Sequence, residues 1–305
     1  MKDCVIIGAG PAGLTAAIYG MRAGMDIVVL EKLSPGGQVM TTYEVENYPG
    51  FIDPIGGWEL MNAMENQARR LGAAIESGGV ERLEWKESER AFSLFGPGIG
   101  EMSARSVICA SGASLMKLGV PGEAEHTGRG VSYCATCDGA FFRDKVTAVV
   151  GGGNTALEEA NFLTRFSSKV YLIHRREQFR GLKLLQDRVL SNPKIEPVYD
   201  SVVQSVNGTE KVVSVTVSNK KTGSSSDIPV DGVFIFVGYR ANTEYLPPAL
   251  LNEHGEVEVD MHMKTRQPGL FAAGDLRKDS IRQIVAATAD GATAALSAYE
   301  YLQSF

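Results

Sequence analysis

Cys134 and Cys137 are separated by two residues in the run Cys134-Ala135-Thr136-Cys137-Asp138. Two thiols at that spacing can close a small disulfide ring or open to a dithiol, and so can take up or release an electron pair. Attack on another disulfide needs a thiolate, and a free thiol with a pKa of about 8.5 is mostly protonated at neutral pH. Asp138, beside the pair, is the candidate proton shuttle. The same spacing also serves as half of a zinc site or as two buried thiols. A closed zinc site wants two more Cys or His ligands, usually in a second close pair. His126, His174, His254 and His262 are scattered and there is no second Cys-x-x-Cys, so redox use leads and no metal is expected. Cys4 and Cys109 lie singly in apolar runs and read as core thiols.

A redox pair needs a source of electrons, and two glycine turns offer one. The first is Gly8-x-Gly10-x-x-Gly13, after the apolar run Cys4 to Ile7. The second is Gly151-x-Gly153-x-x-Ala156, after Val146 to Val150. Glycines in such a turn let the backbone approach a pyrophosphate, and the helix that follows supplies free N–H groups and a partial positive charge. Glu31 lies 23 residues on from Gly8, and His174, followed by Arg175 and Arg176, lies 23 residues on from Gly151. An acid at that place accepts hydrogen bonds from an unmodified adenosine ribose. A basic set (His174, Arg175, Arg176, Arg180) suits a ribose bearing a 2′-phosphate, which Arg grips with a planar fork. FAD is therefore expected in the first unit and NADPH in the second. Gly274-Asp275 after a strand, and Arg282-Gln283 opening the last helix, fit a ribityl hydroxyl and a flavin ring.

The elements expected around these turns alternate strand and helix. The first unit reads strand (3–7), helix (11–23), strand (27–30), then a glycine-rich loop at 34–38 and a helix over 59–71 with Leu60, Met64, Ala68 and Leu71 on one face. Short strands follow over 75–94, with another at 105–110. The second unit reads strand (146–150), helix (154–166), strand (170–173), with further strands at 212–218 and 232–237. A strand at 269–275 and a helix over 282–303 close the chain. The tail is too short for a third domain and is expected to complete the first. The expected fold is α/β: two Rossmann-like dinucleotide-binding domains, three-layered. The FAD domain is split (1–114 and 245–305), and the NADPH domain, 115–244, is inserted with the cysteine pair.

The whole is consistent with its composition. A chain of 305 residues suits two domains, and 44% hydrophobic with 22% charged residues is ordinary for a soluble protein. A net charge of −6 argues against a nucleic-acid partner. No apolar run approaches the ~18 residues of a membrane span. The opening residues already form a strand, which argues against a signal peptide. A cytoplasmic protein is expected.

The segments GAGPAGLTAAIY, GGQ, ENYPGF, CATCDG, GGGNTALEEA, HRREQFRG, GLFAAGD and IRQIVAATADGATAA together resemble those of low-molecular-weight thioredoxin reductases. The resemblance spans essentially the whole chain. It implies that Cys134 attacks a thioredoxin disulfide, that Cys137 lies against the flavin, and that Asp138 is the general acid. It also implies that Gly8, Gly10, Gly13, Glu31, Gly37, Gln38, Asn47, Gly274, Asp275, Arg282 and Gln283 line FAD. Gly153, Asn154, Thr155, Glu158, His174, Arg175, Arg176, Arg180 and Gly238 would line NADPH, and the family is homodimeric. Gly181 stands where the family more often carries Ala, a departure expected to loosen that turn. With the disulfide and the nicotinamide site in one domain and the flavin in the other, a hinge near residues 112–118 and 240–247 is expected.

Overall fold

The computed structural model describes residues 1–42 and 45–304. The chain divides into two compact units, Met1–Ser114 with Arg240–Phe305, and Leu115–Tyr239. The return to the first unit therefore comes at Arg240, ahead of the expected 245. Asn242 is the reason. Its backbone N–H donates to the Gly112 carbonyl at 3.0 Å, and its Nδ2 to the Ser111 carbonyl at 2.9 Å. Ser114 Oγ donates to Asn242 Oδ1 at 2.7 Å, so this stretch already belongs with the end of the first segment.

Along the chain, the first segment runs β1 (Lys2–Ile7), α1 (Pro11–Arg22), β2 (Ile27–Glu31), α2 (Gly57–Arg70), β3 (Ala74–Ser77), β4 (Arg82–Lys86), β5 (Ala91–Gly96), β6 (Gly100–Cys109) and β7 (Ala113–Leu115). The second unit holds β8 (Val131–Ser132), α3 (Ala135–Asp138), β9 (Val146–Gly151), α4 (Asn154–Leu163), β10 (Lys169–Ile173), α5 (Lys183–Leu190), β11 (Ile195–Val198), β12 (Ser201–Gly208), β13 (Val212–Asn219), β14 (Ser225–Pro229) and β15 (Gly232–Phe236). The chain closes with β16 (Tyr239–Ala241), β17 (Leu270–Ala272) and α6 (Ile284–Leu302).

In the first unit β3, β2, β1 and β6 are parallel neighbours, and β17 joins the far edge of β6. The earlier half of β6 pairs antiparallel with β5, which carries β4. Side chains alternate across a strand. Cys4 and Ile6 therefore face one core with α1, α2 and α6, while Val5 and Ile7 face another with Leu83, Phe92 and Leu94. Helix α6 crosses α1 closely because Gly291 leaves room for the Ala12 carbonyl, which a methyl there would strike.

The second unit has a parallel sheet, β11-β10-β9-β15-β8, and an antiparallel one, β12-β13-β14. Val149 faces the α4–α5 side, whereas Ala148 and Val150 face the β12–β14 side. Each unit is thus three-layered, with its glycine turn at the carboxyl end of a central parallel strand, β1 or β9. That is where ligands bind in open α/β sheets.

Helix α2 starts at Gly57, two residues ahead of expectation, and two other helix ends differ for a local reason. Helix α4 ends at Leu163 rather than Phe166, because the Phe166 N–H bonds the Leu163 carbonyl and tightens the tail. Helix α6 begins at Ile284, since Arg282 takes φ +54° and Gln283 is the extended N-cap.

Candidate active site

The first glycine turn is built from backbone against backbone. Gly8 has φ +103°, and a side chain there would meet the Ala110 carbonyl, while one at Gly13 would meet the carbonyl of Gly8. Gly10 differs, because nothing lies within 4 Å of where its Cβ would stand. Gly10 is also the N-cap of α1 and offers no side-chain cap. The outer glycines close the turn; the middle one faces open space before the free N–H groups of a helix start. That is the cradle a pyrophosphate needs. Glu31 is pinned beside it: Oε2 accepts the Ala9 N–H at 2.8 Å and Oε1 the Leu33 N–H at 2.9 Å.

Gly37 and Gly274 stand against this turn and the start of α1, and the other expected residues are placed by contacts of their own. The Gly36 N–H donates to the Ala9 carbonyl at 2.8 Å, and a Cβ on Gly37 would come 3.3 Å from the Gly10 Cα. Gln38 Nε2 donates to the Ala113 carbonyl. Asn47 Nδ2 donates to Gln283 Oε1 at 3.0 Å, joining two expected residues that lie far apart in sequence. Gly274 sits against the start of α1, its Cβ position 3.1 Å from the Ala12 Cβ. Asp275 accepts from Ser280 Oγ at 2.9 Å, and burial pushes its carboxyl above the usual range. Arg282 Nη2 lies 3.8 Å from Glu256 Oε1.

Asp290 organises this corner and drew no notice in the sequence. It is buried, and Oδ2 accepts the Gly274 N–H at 3.0 Å and Arg277 Nε at 2.6 Å, while Oδ1 accepts Arg277 Nη2 at 3.1 Å. This two-pronged ion pair fixes the turn that presents Asp275.

The second turn repeats the plan with different backing. Gly153 caps α4 with nothing within 4 Å of its Cβ position, as at Gly10. Behind the turn, Gly152 lies so close to the His174 ring that a methyl there would strike it. His174 is buried, its Nε2 has no partner among the described residues, and burial, then Arg180 and Arg176, hold its pKa below the ordinary value. Its ring supports the loop from behind, while Arg175, Arg176 and Arg180 are all exposed. The Arg180 and Gly181 N–H groups donate to the Gly152 carbonyl at 2.7 and 3.1 Å. Asn154 Oδ1 accepts the Leu182 N–H at 2.8 Å. Gly181 does not loosen the turn: it is held there, and a methyl on it would strike Leu157. Thr155 is half-buried and Glu158 exposed on α4. Gly238 lies just past β15, whose Phe236 pairs with Gly151, and its carbonyl accepts the Met116 N–H at 3.0 Å.

In the same unit Cys134 and Cys137 form a disulfide, with Cα atoms 5.3 Å apart, at the start of α3. Cys134 Sγ accepts the Cys137 N–H at 3.2 Å and contacts Thr136 Oγ1 at 3.3 Å. Asp138 is tied to the pair through Ser132, which is buried. Ser132 Oγ donates to Asp138 Oδ2 at 2.6 Å and accepts the Cys134 N–H at 3.1 Å. Burial raises the Asp138 carboxyl above its ordinary range, and the Ser132 bond opposes this. On the other flank, buried Glu123 accepts the Leu118 and Gly119 N–H groups at 3.0 and 2.7 Å and the Tyr133 hydroxyl at 2.8 Å. Ser132, Glu123 and Glu159 (described below) escaped the sequence reading; only Ser132 had a signal, its nearness to the pair.

Two nucleotide cradles of opposite charge, one sharing its unit with a disulfide, define a disulfide oxidoreductase. The residues present fit a flavin dinucleotide and a pyridine dinucleotide at their middle glycines. The chain belongs to the pyridine nucleotide-disulphide oxidoreductase family, whose model matches residues 2–291. It is 45% identical over 304 residues to the thioredoxin reductase of Listeria innocua, covering 99% of this chain and 94% of that protein. It superposes on the thioredoxin reductase of Streptococcus pyogenes with a TM-score of 0.90 at 43% identity, covering 100% of this chain and 99% of the other. For the enzyme of Giardia duodenalis the TM-score is 0.90 at 36% identity, covering 99% of each chain. The chain is therefore an oxidoreductase that uses a flavin and a pyridine nucleotide. Among the described residues no helix is long and apolar enough to cross a membrane.

Proposed function

We propose that this enzyme is a thioredoxin reductase carrying reducing equivalents from NADPH, through FAD, to Cys134–Cys137 and on to the disulfide of thioredoxin. The observation that carries the proposal is the Cys134–Cys137 disulfide at the head of α3 with the raised carboxyl of Asp138 one residue on. Gly8–Gly13 with Glu31, Gln38, Asn47, Asp275 and Gln283 would hold FAD, which when bound would supply the relay between a hydride donor and the sulfur pair. Arg175, Arg176 and Arg180 hold the 2′-phosphate of NADPH at the second turn, beside Asn154, Thr155 and Glu158.

In the protein step, the Cys134 thiolate attacks one sulfur of the partner's disulfide. That bond breaks, a mixed disulfide forms, and the leaving sulfur takes a proton from Asp138. The Cys137 sulfur then attacks Cys134, restoring the internal disulfide and releasing the partner's second sulfur as a thiol. Two electrons pass to the partner in all. The N–H of Cys137 and the hydroxyl of Thr136 favour the Cys134 thiolate by bonding to its sulfur. The protonated carboxyl is the donor, so the raised pKa of Asp138 extends proton donation upward, and donation is lost as pH rises through it. In Asp138→Asn, turnover should fall about 100-fold and that alkaline limb should vanish from the pH profile.

The test of the whole reading is a yellow protein that oxidises NADPH only when oxidised thioredoxin is added. A colourless preparation after flavin supplementation, or NADPH use indifferent to thioredoxin, overturns it. Cytoplasmic location and a homodimer belong to the same proposal; sedimentation measures the second.

A further inference from the structure

A helix start leaves its first N–H groups without intrahelical partners. In α3 three of the first four N–H groups meet an acceptor that is not the usual one or that closes the first turn. The Asp138 N–H makes the first helical bond, to the Cys134 carbonyl at 3.1 Å. The Cys137 N–H goes to Cys134 Sγ at 3.2 Å. The Ala135 N–H goes to a carboxylate from another helix: Glu159 of α4, whose Oε2 lies 3.1 Å from the Ala135 nitrogen. We infer that Glu159 is a positioning residue that restrains the thiolate of Cys134, taking the Ala135 N–H at the head of α3 and placing a negative charge beside the residue that follows the sulfur.

The physical argument is one of competition. A helix N-terminus lowers a thiol's pKa because its N–H groups and partial positive charge favour the thiolate. Here a carboxylate accepts one of those N–H groups, on the residue next to the sulfur. The charged neighbours on every side bear on the outcome. Asp138 is on α3 itself, and Glu158 adjoins Glu159 on α4. Arg165, beyond the end of α4, and Arg188 of α5 line the same cleft of about 240 Å³ as Thr136 and Glu159. Glu123 reaches Tyr133 from the other side. Of these, Glu159 is the carboxylate bonded to the Ala135 N–H, directly after Cys134. Burial lifts its own carboxyl above the ordinary range, and the bond from the Ala135 N–H works against that lift.

The consequence falls on the balance between disulfide and dithiol. Reduction breaks the Sγ–Sγ bond and takes two electrons; one sulfur gains a proton at once, and the other stays thiolate or takes a second proton according to pH. Whatever raises the thiolate's energy keeps the reduced pair reactive toward a disulfide and lowers the couple's potential. Neutralising Glu159 should do the reverse and make the pair harder to reoxidise.

The inference rests on the reading of Cys134–Cys137 as the working couple, and the experiment separates the two. The flavin-loaded protein and its Glu159→Gln and Glu159→Ala variants are equilibrated with dithiothreitol and its cyclic disulfide, the electron pair coming from dithiothreitol. The pair is then quenched, and alkylation of Cys134 by iodoacetamide is followed by mass spectrometry from about pH 5 to about pH 10, the range spanning carboxyl and thiol titration. Gln keeps an acceptor for the Ala135 N–H but carries no charge. We expect the alkylation midpoint of Cys134 to move toward acid in Glu159→Gln, and reduction to be favoured about tenfold, or about 30 mV for a two-electron couple. Unaltered flavin absorbance and near-ultraviolet circular dichroism show that the variant is folded. A Gln variant that titrates as the parent while only the Ala variant is perturbed overturns the inference, leaving Glu159 a mere structural cap. A pair that dithiothreitol does not reduce in the parent overturns instead the reading of Cys134–Cys137 as the couple.

Discussion

The two glycine turns share one plan and differ in what stands behind them. At the first, the acid is locked: both oxygens of Glu31 accept backbone N–H groups, and Gly36 bonds back to Ala9. At the second, the loop from Arg175 to Gly181 is tied by its backbone to Gly152, while its three arginine heads lie free in solvent. A rigid, partly enclosed acid suits a resident nucleotide that stays bound through many turnovers. Exposed cations on a tethered loop suit one that enters and leaves each time, because long side chains can close on a phosphate and let it go.

The comparison breaks most sharply at the glycines. Gly13→Ala drives a methyl into the Gly8 carbonyl, and the first unit should lose about 3 kcal/mol or more, seen as a fall in the denaturation midpoint. Gly10→Ala has room in the protein itself and a φ of −76°, which Ala accepts. It should keep the apoprotein's stability within about 0.5 kcal/mol yet bind flavin poorly, since surface-like changes cost little and the methyl fills the ligand's place. Gly10→Ala protein that retains its full yellow colour would show that no pyrophosphate lies over that glycine.

Asp290 sharpens the comparison from the first unit's side, where the corner holding Asp275 rests on one buried ion pair. Asp290→Ala leaves Arg277 uncompensated and should cost about 3 kcal/mol, with flavin released at lower temperature than in the parent; thermal melting followed by flavin fluorescence measures both. Among the described residues the second unit has no such buried ion pair behind its arginines. Replacing Arg175 and Arg176 together by Ala should therefore leave the melting temperature in place. KM for NADPH should rise about tenfold or more, with little change for NADH, because charge-assisted bonds to a phosphate are each worth about 1.5 kcal/mol or more. Smallest of all is His174→Phe, which keeps a ring against Gly152 and Phe179 and should shift KM for NADPH less than about twofold.

The same contrast marks what a sequence can tell. Both turns, Glu31 and the cysteine pair were legible because their chemistry is local: spacing along a strand and a turn fixes where those groups stand. The basic set was legible as charge, but the burial of His174 was not, since only the fold puts Gly152 against its ring. Asp290 reads as one polar residue in an alanine-rich helix, and Glu159 as one of two adjacent acids on another. Each acquires its purpose from a partner brought in by tertiary packing: Arg277 for Asp290, and the head of α3 for Glu159. Helix α3 itself, Ala135–Asp138, is too short to show any periodicity. The arginine-bearing loop after β10 was visible, whereas its anchor at Gly152 was not, because backbone bonds leave no trace in residue types.

The account stands or falls on the order of electron flow, and an anaerobic titration reads it directly. NADPH added to the yellow enzyme should bleach the flavin absorbance, and oxidised thioredoxin should bring the colour back. In Cys134→Ser the bleaching by NADPH should remain and the recovery with thioredoxin should be lost. Recovery in that variant at the parent's rate would show that electrons reach thioredoxin by a route that does not pass through Cys134, and the account would be wrong.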